Sequence, residues 1–203
     1  MYLYGASGHG KVIAEIAEEN DILINSFIDS DVLKTSILNY SVIHKIPNDS
    51  IEIIISIGNN LVRKKVVFAN KNLRYCTLFH PKANISRRAK INVGTVVMAG
   101  STINSEVEIG QHCIINTNAS IDHDCILRDF VHISPNASLA GNITIGEGTH
   151  VGIGASVIQG VSIGKWCVIG AGAVIIKDVP DGAIVVGNPG RLIKKIIIDK
   201  YEF

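Results

Sequence analysis

"INVGTVVMAGSTINSEVEIGQHCIIN", residues 91–116, carries Ile or Val at positions 91, 97, 103, 109 and 115, and a compact residue at 95, 101, 107 and 113. Outward from this stretch the first series runs unbroken, with Ile, Val or Leu at every sixth position from Ile85 to Ile175. The second runs from Ala89 to Ala173 at the same spacing and departs from small or compact side chains only at Ile143. A helix requires a 3.6-residue period and a flat strand a period of two. A period of six, with one large and one small inward residue, fits short strands meeting at tight corners. The prediction is a parallel β-helix in which three hexapeptides close one coil, stacked roughly 4.8 Å from the next, with about five coils over residues 85–175. Cys113, Cys125 and Cys167 fall in the small inward series and read as buried thiols. Phe130 and Trp166 lie in one phase of the repeat, which places them in a single outward column two coils apart, wet unless a second subunit covers it.

Composition sets the wider bounds. The 203 residues are 47% hydrophobic and 18% charged, enough apolar material for one large domain or two small ones. Lys+Arg number 19 against 18 Asp+Glu, so no broad field steers the chain toward nucleic acid or an anionic membrane. The N-terminus opens directly on a strand and loop, and no apolar run approaches the ~20 residues that span a bilayer, so a cytoplasmic protein without membrane insertion is expected. The four cysteines form no C-x-x-C pair and have no histidine at ligand spacing, and no metal is expected.

Residues 1–79 read as a separate Rossmann-like α/β domain, with the β-helix domain and its tail over 80–203. "MYLYGASGHGKVIAEIAEEN" gives a strand, a G-x-x-G-x-G loop and a helix with Val12, Ile13, Ile16 and Ala17 on its apolar face. "LINSFIDSD" gives a second strand ending in acid, "IEIIISIGNN" a third and "LVRKKVVFANKN" a second helix, which is half of a doubly wound sheet. Ligands of such sheets sit at the carboxyl ends of the strands, where Gly5–Gly10, Asp29 and Gly58–Asn60 fall. A glycine-rich turn running into a helix suits a phosphate, and Asp29 stands where an acid meets sugar hydroxyls. A nucleotide or nucleotide sugar is expected; the loop lacks the G-x-G-x-x-G fingerprint of dinucleotide sites.

His123 follows inward Ile121 by two residues and lies at a coil corner between Asp122 and Asp124. A carboxylate bonded to one ring nitrogen makes the other a better base. His132 and His150 point outward in one phase, a coil apart, and should stack. The segments "YGASGHG", "IGNN" with "RKK", "HDC", "FVHIS" and "GNPGR", spread over the whole length, resemble the bacterial hexapeptide-repeat sugar O- and N-acyltransferases. Among these the resemblance is nearest to the enzymes that N-acetylate UDP-4-amino sugars in the bacillosamine pathway, with the sialic acid O-acetyltransferases as kin.

The resemblance implies a left-handed β-helix, a homotrimer and acetyl-CoA as co-substrate bound between subunits. It implies His123 as general base with Asp124, which stands where relatives carry a glutamate, and the Gly141 N–H as oxyanion donor. It further implies Asn116, His132, Gly141, Ile153 and Ala171 along the CoA groove. Ser7, Gly8, His9, Asp29, Ser30, Ser56, Gly58 and Asn59 would form the sugar-nucleotide site, with Ser30 in place of a second acid. Arg191, Lys194 and Lys195 read either as contacts to CoA phosphates or as a solvated tail that also carries Asp199 and Glu202. Two other classes remain: a scaffold that kept the repeat without chemistry, and a carbonic anhydrase with a metal held by His123, His132 and His150.

Overall fold

The computed structural model describes residues 1–47 and 51–198. Asp199 and Glu202 lie outside them. The N-terminal part contains β1 (Tyr2–Tyr4), α1 (Gly8–Glu18), β2 (Ser26–Ile28), β3 (Ser36–Ile37), β4 (Tyr40–Ile43), β5 (Glu52–Ile55), α2 (Asn60–Ala69) and β6 (Arg74–Tyr75). Its sheet has the order β3-β4-β2-β1-β5-β6, parallel throughout except for the β3–β4 hairpin. Three of these strands, β3, β4 and β6, go beyond the sequence reading. The hairpin escaped because its turn sets Leu38 at φ +51, a left-handed position where glycine or asparagine is the usual signal. The apolar face of α1 is Ile13, Ala14, Ile16 and Ala17, whereas Val12 is exposed.

From Leu78 onward every hexapeptide contributes a two-residue strand to one of three parallel sheets. The first face runs from Leu78–Phe79 through Val96–Val97, Ile114–Ile115, His132–Ile133, His150–Val151 and Val168–Ile169 to Ala183–Val186. The second holds Asn84–Ile85 to Val174–Ile175, and the third Lys90–Ile91 to Ser162–Ile163. The two inward series form one continuous core, so the six-residue period was the right reading. The corners obey it too: residues 94, 100, 106, 112 and onward to 172 all take left-handed φ at every sixth position. Glycine fills this phase at 94, 100, 148, 154, 160 and 172; Glu106, His112, Asn118, Asp124, Phe130, Asn136, Asn142 and Trp166 occupy the rest.

Phe130 and Trp166 share one corner column, separated by Gly148, and both are buried within a single chain. A Cβ at Gly148 would meet the Trp166 ring at 2.5 Å, so the indole lies flat over that glycine. The expectation that a second subunit must cover this column is corrected: α2 covers it. Phe68 meets Phe130 at 6.5 Å, and Lys64 lies over Trp166 at 5.2 Å. The first face is therefore not a solvated wall. Outward Leu78, Val96, Met98 and Ile114 share an apolar core with Leu3, Ile13 and Ile16 of the N-terminal domain.

Candidate active site

At the corner between the second and third faces, His123 Nδ1 lies 2.7 Å from Asp124 Oδ2. The Asp124 carboxylate accepts a hydrogen bond from Nδ1–H and leaves the Nε2 lone pair facing outward; the shorter acid reaches the ring. Asp122 is fixed beside it, accepting from Asn104 Nδ2 and from the His123 N–H, each at 2.8 Å. The Asp124 hydrogen bond first, and the Asp122 charge second, raise the His123 pKa above its ordinary value of 6.5. Gly141 lies one coil on, directly against the ring: a Cβ there would stand 2.6 Å from His123 Cε1 and 2.7 Å from Nε2. Among the described residues the Gly141 N–H meets no acceptor, although its neighbours Ala140 and Asn142 are bonded to adjacent coils. An imidazole and a free backbone donor thus share one corner.

A second group lies on the first face and its border with the second. Asn116 Oδ1 accepts from Thr117 N–H at 2.8 Å, which turns Nδ2 toward His132 Nε2 at 3.0 Å. The neutral His132 ring therefore carries its proton on Nδ1, a buried atom on the side of the Gly58 backbone. Burial first, then His150, Arg63 and His9, push its pKa down to about 2. His150 stacks at 4.7 Å as the phase required, with its Nε2 2.8 Å from Ser134 Oγ. Ile153 and Ala171 are exposed on the adjoining corner. Arg191, Lys194 and Lys195 belong to an exposed strand antiparallel to Ala183–Val186.

The third group is the carboxyl edge of the N-terminal sheet, between β1 and β5, where strand order reverses. Gly5, at φ +120, turns the chain out of β1; a Cβ would meet Ile57 Cγ1 at 2.7 Å. Ser7 caps α1 in extended conformation without a side-chain cap bond, and Ser7, Gly8 and Ser30 are exposed. Asp29 accepts from Ala6 N–H, Asp31 N–H and Lys34 Nζ. Burial works upward on its carboxyl, but these donors outweigh it and hold the pKa below the ordinary value. Ser56 is fully buried beneath the loop, its hydroxyl bonded to Gly5 O at 2.8 Å, and Asn59 Oδ1 caps α2 on Val62 N–H. His9 lies over Gly58 and faces His132 with ring centroids 6.3 Å apart. Its Nε2 is buried without a partner, and burial, with Arg63 second, lowers its pKa to about 4.

What fastens the domains was not in the sequence reading. Arg63, 1% exposed, donates to Ile57 O, Gly58 O and Asn60 Oδ1 on its own side, and to His112 O and Phe130 O on the β-helix. Asn60 reaches Gly148 O and Thr149 O, and Lys64 pairs with Glu147. The segment "RKK" after "IGNN" was visible in the sequence, but nothing in it identifies the acceptors on the β-helix.

Chain topology separates the groups. The N-terminal edge abuts His132 on the first face, whereas His123 stands on the corner opposite that face. One chain brings His132 and His150 together but not His123, so the three histidines do not converge on a metal within it. A concavity of about 730 Å³ between Arg128 and Asp181 on the third face touches none of the three groups.

Two family models match the chain: the PglD N-terminal domain over residues 1–69, and the bacterial transferase hexapeptide (six repeats) over 142–177. PerB from Caulobacter crescentus, solved with CoA and GDP-perosamine, is 32% identical with a TM-score of 0.90, covering 95% of this chain and 96% of that one. The acetyltransferase domain of PglB from Neisseria gonorrhoeae, solved with acetyl coenzyme A, is 36% identical at TM-score 0.88, covering 95% and 98%. WeeI from Acinetobacter baumannii is 31% identical at TM-score 0.88 over the same shares.

Proposed function

The chain belongs to the bacterial hexapeptide-repeat sugar N-acetyltransferases with a left-handed β-helix, and from that membership we propose its reaction. It is an acetyl-CoA-dependent N-acetyltransferase acting on the amino group of a nucleotide-linked sugar. The finer reading is a UDP-linked 4-amino sugar. The observation that carries the chemistry is the His123–Asp124 pair set against the free Gly141 N–H, a base and an oxyanion donor at one corner.

His123 Nε2 takes a proton from the sugar amine as its nitrogen attacks the thioester carbonyl carbon. Gly141 N–H stabilises the oxyanion of the tetrahedral intermediate. When the C–S bond breaks, His123 returns the proton to the departing CoA sulfur, leaving an amide on the sugar. Asn116, His132, Ile153 and Ala171 line the path of CoA. Ser7, Gly8, His9, Asp29, Ser30 and Gly58 hold the sugar nucleotide, with Ser56 and Asn59 shaping the loops from beneath. Because the base and these two groups lie on opposite sides of one β-helix, the complete site needs a neighbouring chain, as in a homotrimer.

No helix among the described residues is long and apolar enough to cross a membrane. The four cysteines are free thiols, the state kept in a reducing compartment, and the proposal places the reaction in the cytoplasm. The test is thiol release from acetyl-CoA against a panel of UDP-, GDP- and dTDP-linked amino sugars and free sialic acid, with mass spectrometry of the product. Amide formation on a nucleotide-linked sugar supports the reading; transfer only to a hydroxyl of free sialic acid overturns it.

A further inference from the structure

Asp29 stands at the end of β2, where doubly wound domains grip a ribose diol with a free carboxylate. Here that carboxylate is already engaged. Of about four acceptor positions on a carboxylate, three are filled: Ala6 N–H and Lys34 Nζ lie on Oδ2, each at 2.8 Å, and Asp31 N–H on Oδ1 at 3.0 Å. Lys34 is itself held in place, its N–H donating to Asp31 O at 3.1 Å while Thr35 O accepts from Val42 N–H at 2.9 Å. Its side chain is 38% exposed against 13% for Asp29, so solvent meets the ammonium before the carboxylate. An ammonium has three donors, and Asp29 receives one bond from it. Across the same edge, the extended Ser7 and the exposed Gly8 open an 11-residue helix at its positive end.

We propose that Lys34 is a specificity-determining residue for the diphosphate of the nucleotide sugar. It neutralises Asp29, which would otherwise repel an anion at this edge, and turns its remaining N–H donors to a diphosphate oxygen. The proposal rests on the reading that the N-terminal domain holds a nucleotide sugar.

Calorimetric titration of the full chain with UDP, GDP and uridine tests it. Lys34→Met is expected to weaken UDP and GDP by about 10- to 100-fold, the range of one lost charge-assisted hydrogen bond. Uridine affinity and the KM for acetyl-CoA should stay unchanged. Lys34→Arg should keep most of the affinity, because the charge and a donor are retained. Equal UDP affinity in wild type and Lys34→Met overturns the proposal, as does a parallel loss for UDP and uridine, or a wild type that binds neither diphosphate. A protein that binds diphosphates through Lys34 yet acetylates no sugar amine supports this proposal and counts against the reaction assigned above.

Discussion

At the scale of single residues, the proposed mechanism divides the chemistry between His123 and Gly141. Replacing His123 by alanine is expected to lower kcat by about 10² to 10⁴ with the fold intact, the usual contribution of a general base. Near-normal turnover would move the base elsewhere. The base acts deprotonated, so activity should rise with pH through the His123 pKa, which the Asp124 hydrogen bond holds above 6.5. Asp124→Asn removes that contribution, and the rising limb of the kcat/KM profile should move to lower pH while kcat falls. A limb that stays in place would assign it to another group. Gly141→Ala offers a separate check, since its Cβ would stand 2.6 Å from His123 Cε1 and must displace the ring. Activity should be lost with the melting temperature nearly unchanged; full activity would show that the ring position matters little.

Among the elements, α2 is the one whose docking the sequence hid. The helix itself was legible, but the burial of Arg63 and Lys64 was not, because burial of a cation depends on acceptors contributed from distant parts of the chain. Those acceptors, His112 O and Phe130 O, lie on a β-helix corner that no local pattern joins to α2. The six-residue repeat, by contrast, was fully legible, since each inward position is fixed by its own phase and not by a remote partner. The corner glycines follow the same phase, and Gly148 leaves room for Trp166 where no side chain fits. Arg63→Met would leave carbonyls of both domains unpaired, and a loss of about 2–5 kcal/mol in urea unfolding is expected. A change below about 0.5 kcal/mol would mean that the apolar contacts of Leu78, Val96 and Ile114 hold the domains unaided.

For the whole molecule, the seam between the domains is lined by imidazoles whose neutral form burial favours. Burial, with Arg63 second, lowers His9 and His112 to about 4, and burial lowers His132 further, to about 2. A histidine depressed below its unfolded value of 6.5 stabilises the fold fully above that pH, and the contribution is lost as pH falls toward the folded values. Melting temperature should therefore decline between about pH 6.5 and 4, and a flat profile across that window would contradict the neutral seam.

The separation of His123 from the sugar and CoA groups makes the strongest claim about the assembly. It is tested by co-expressing a His123→Ala chain with a chain carrying His123 but disabled at the N-terminal edge by Ser7→Arg and Asp29→Ala, and by measuring acetyl transfer to a nucleotide-linked amino sugar. Each chain alone should be inactive, and the mixed assembly should recover activity as the base of one subunit meets the sugar site of its neighbour. Isolated mixed assemblies that remain inactive, or full turnover by a wild-type monomer, would contradict a site shared between chains.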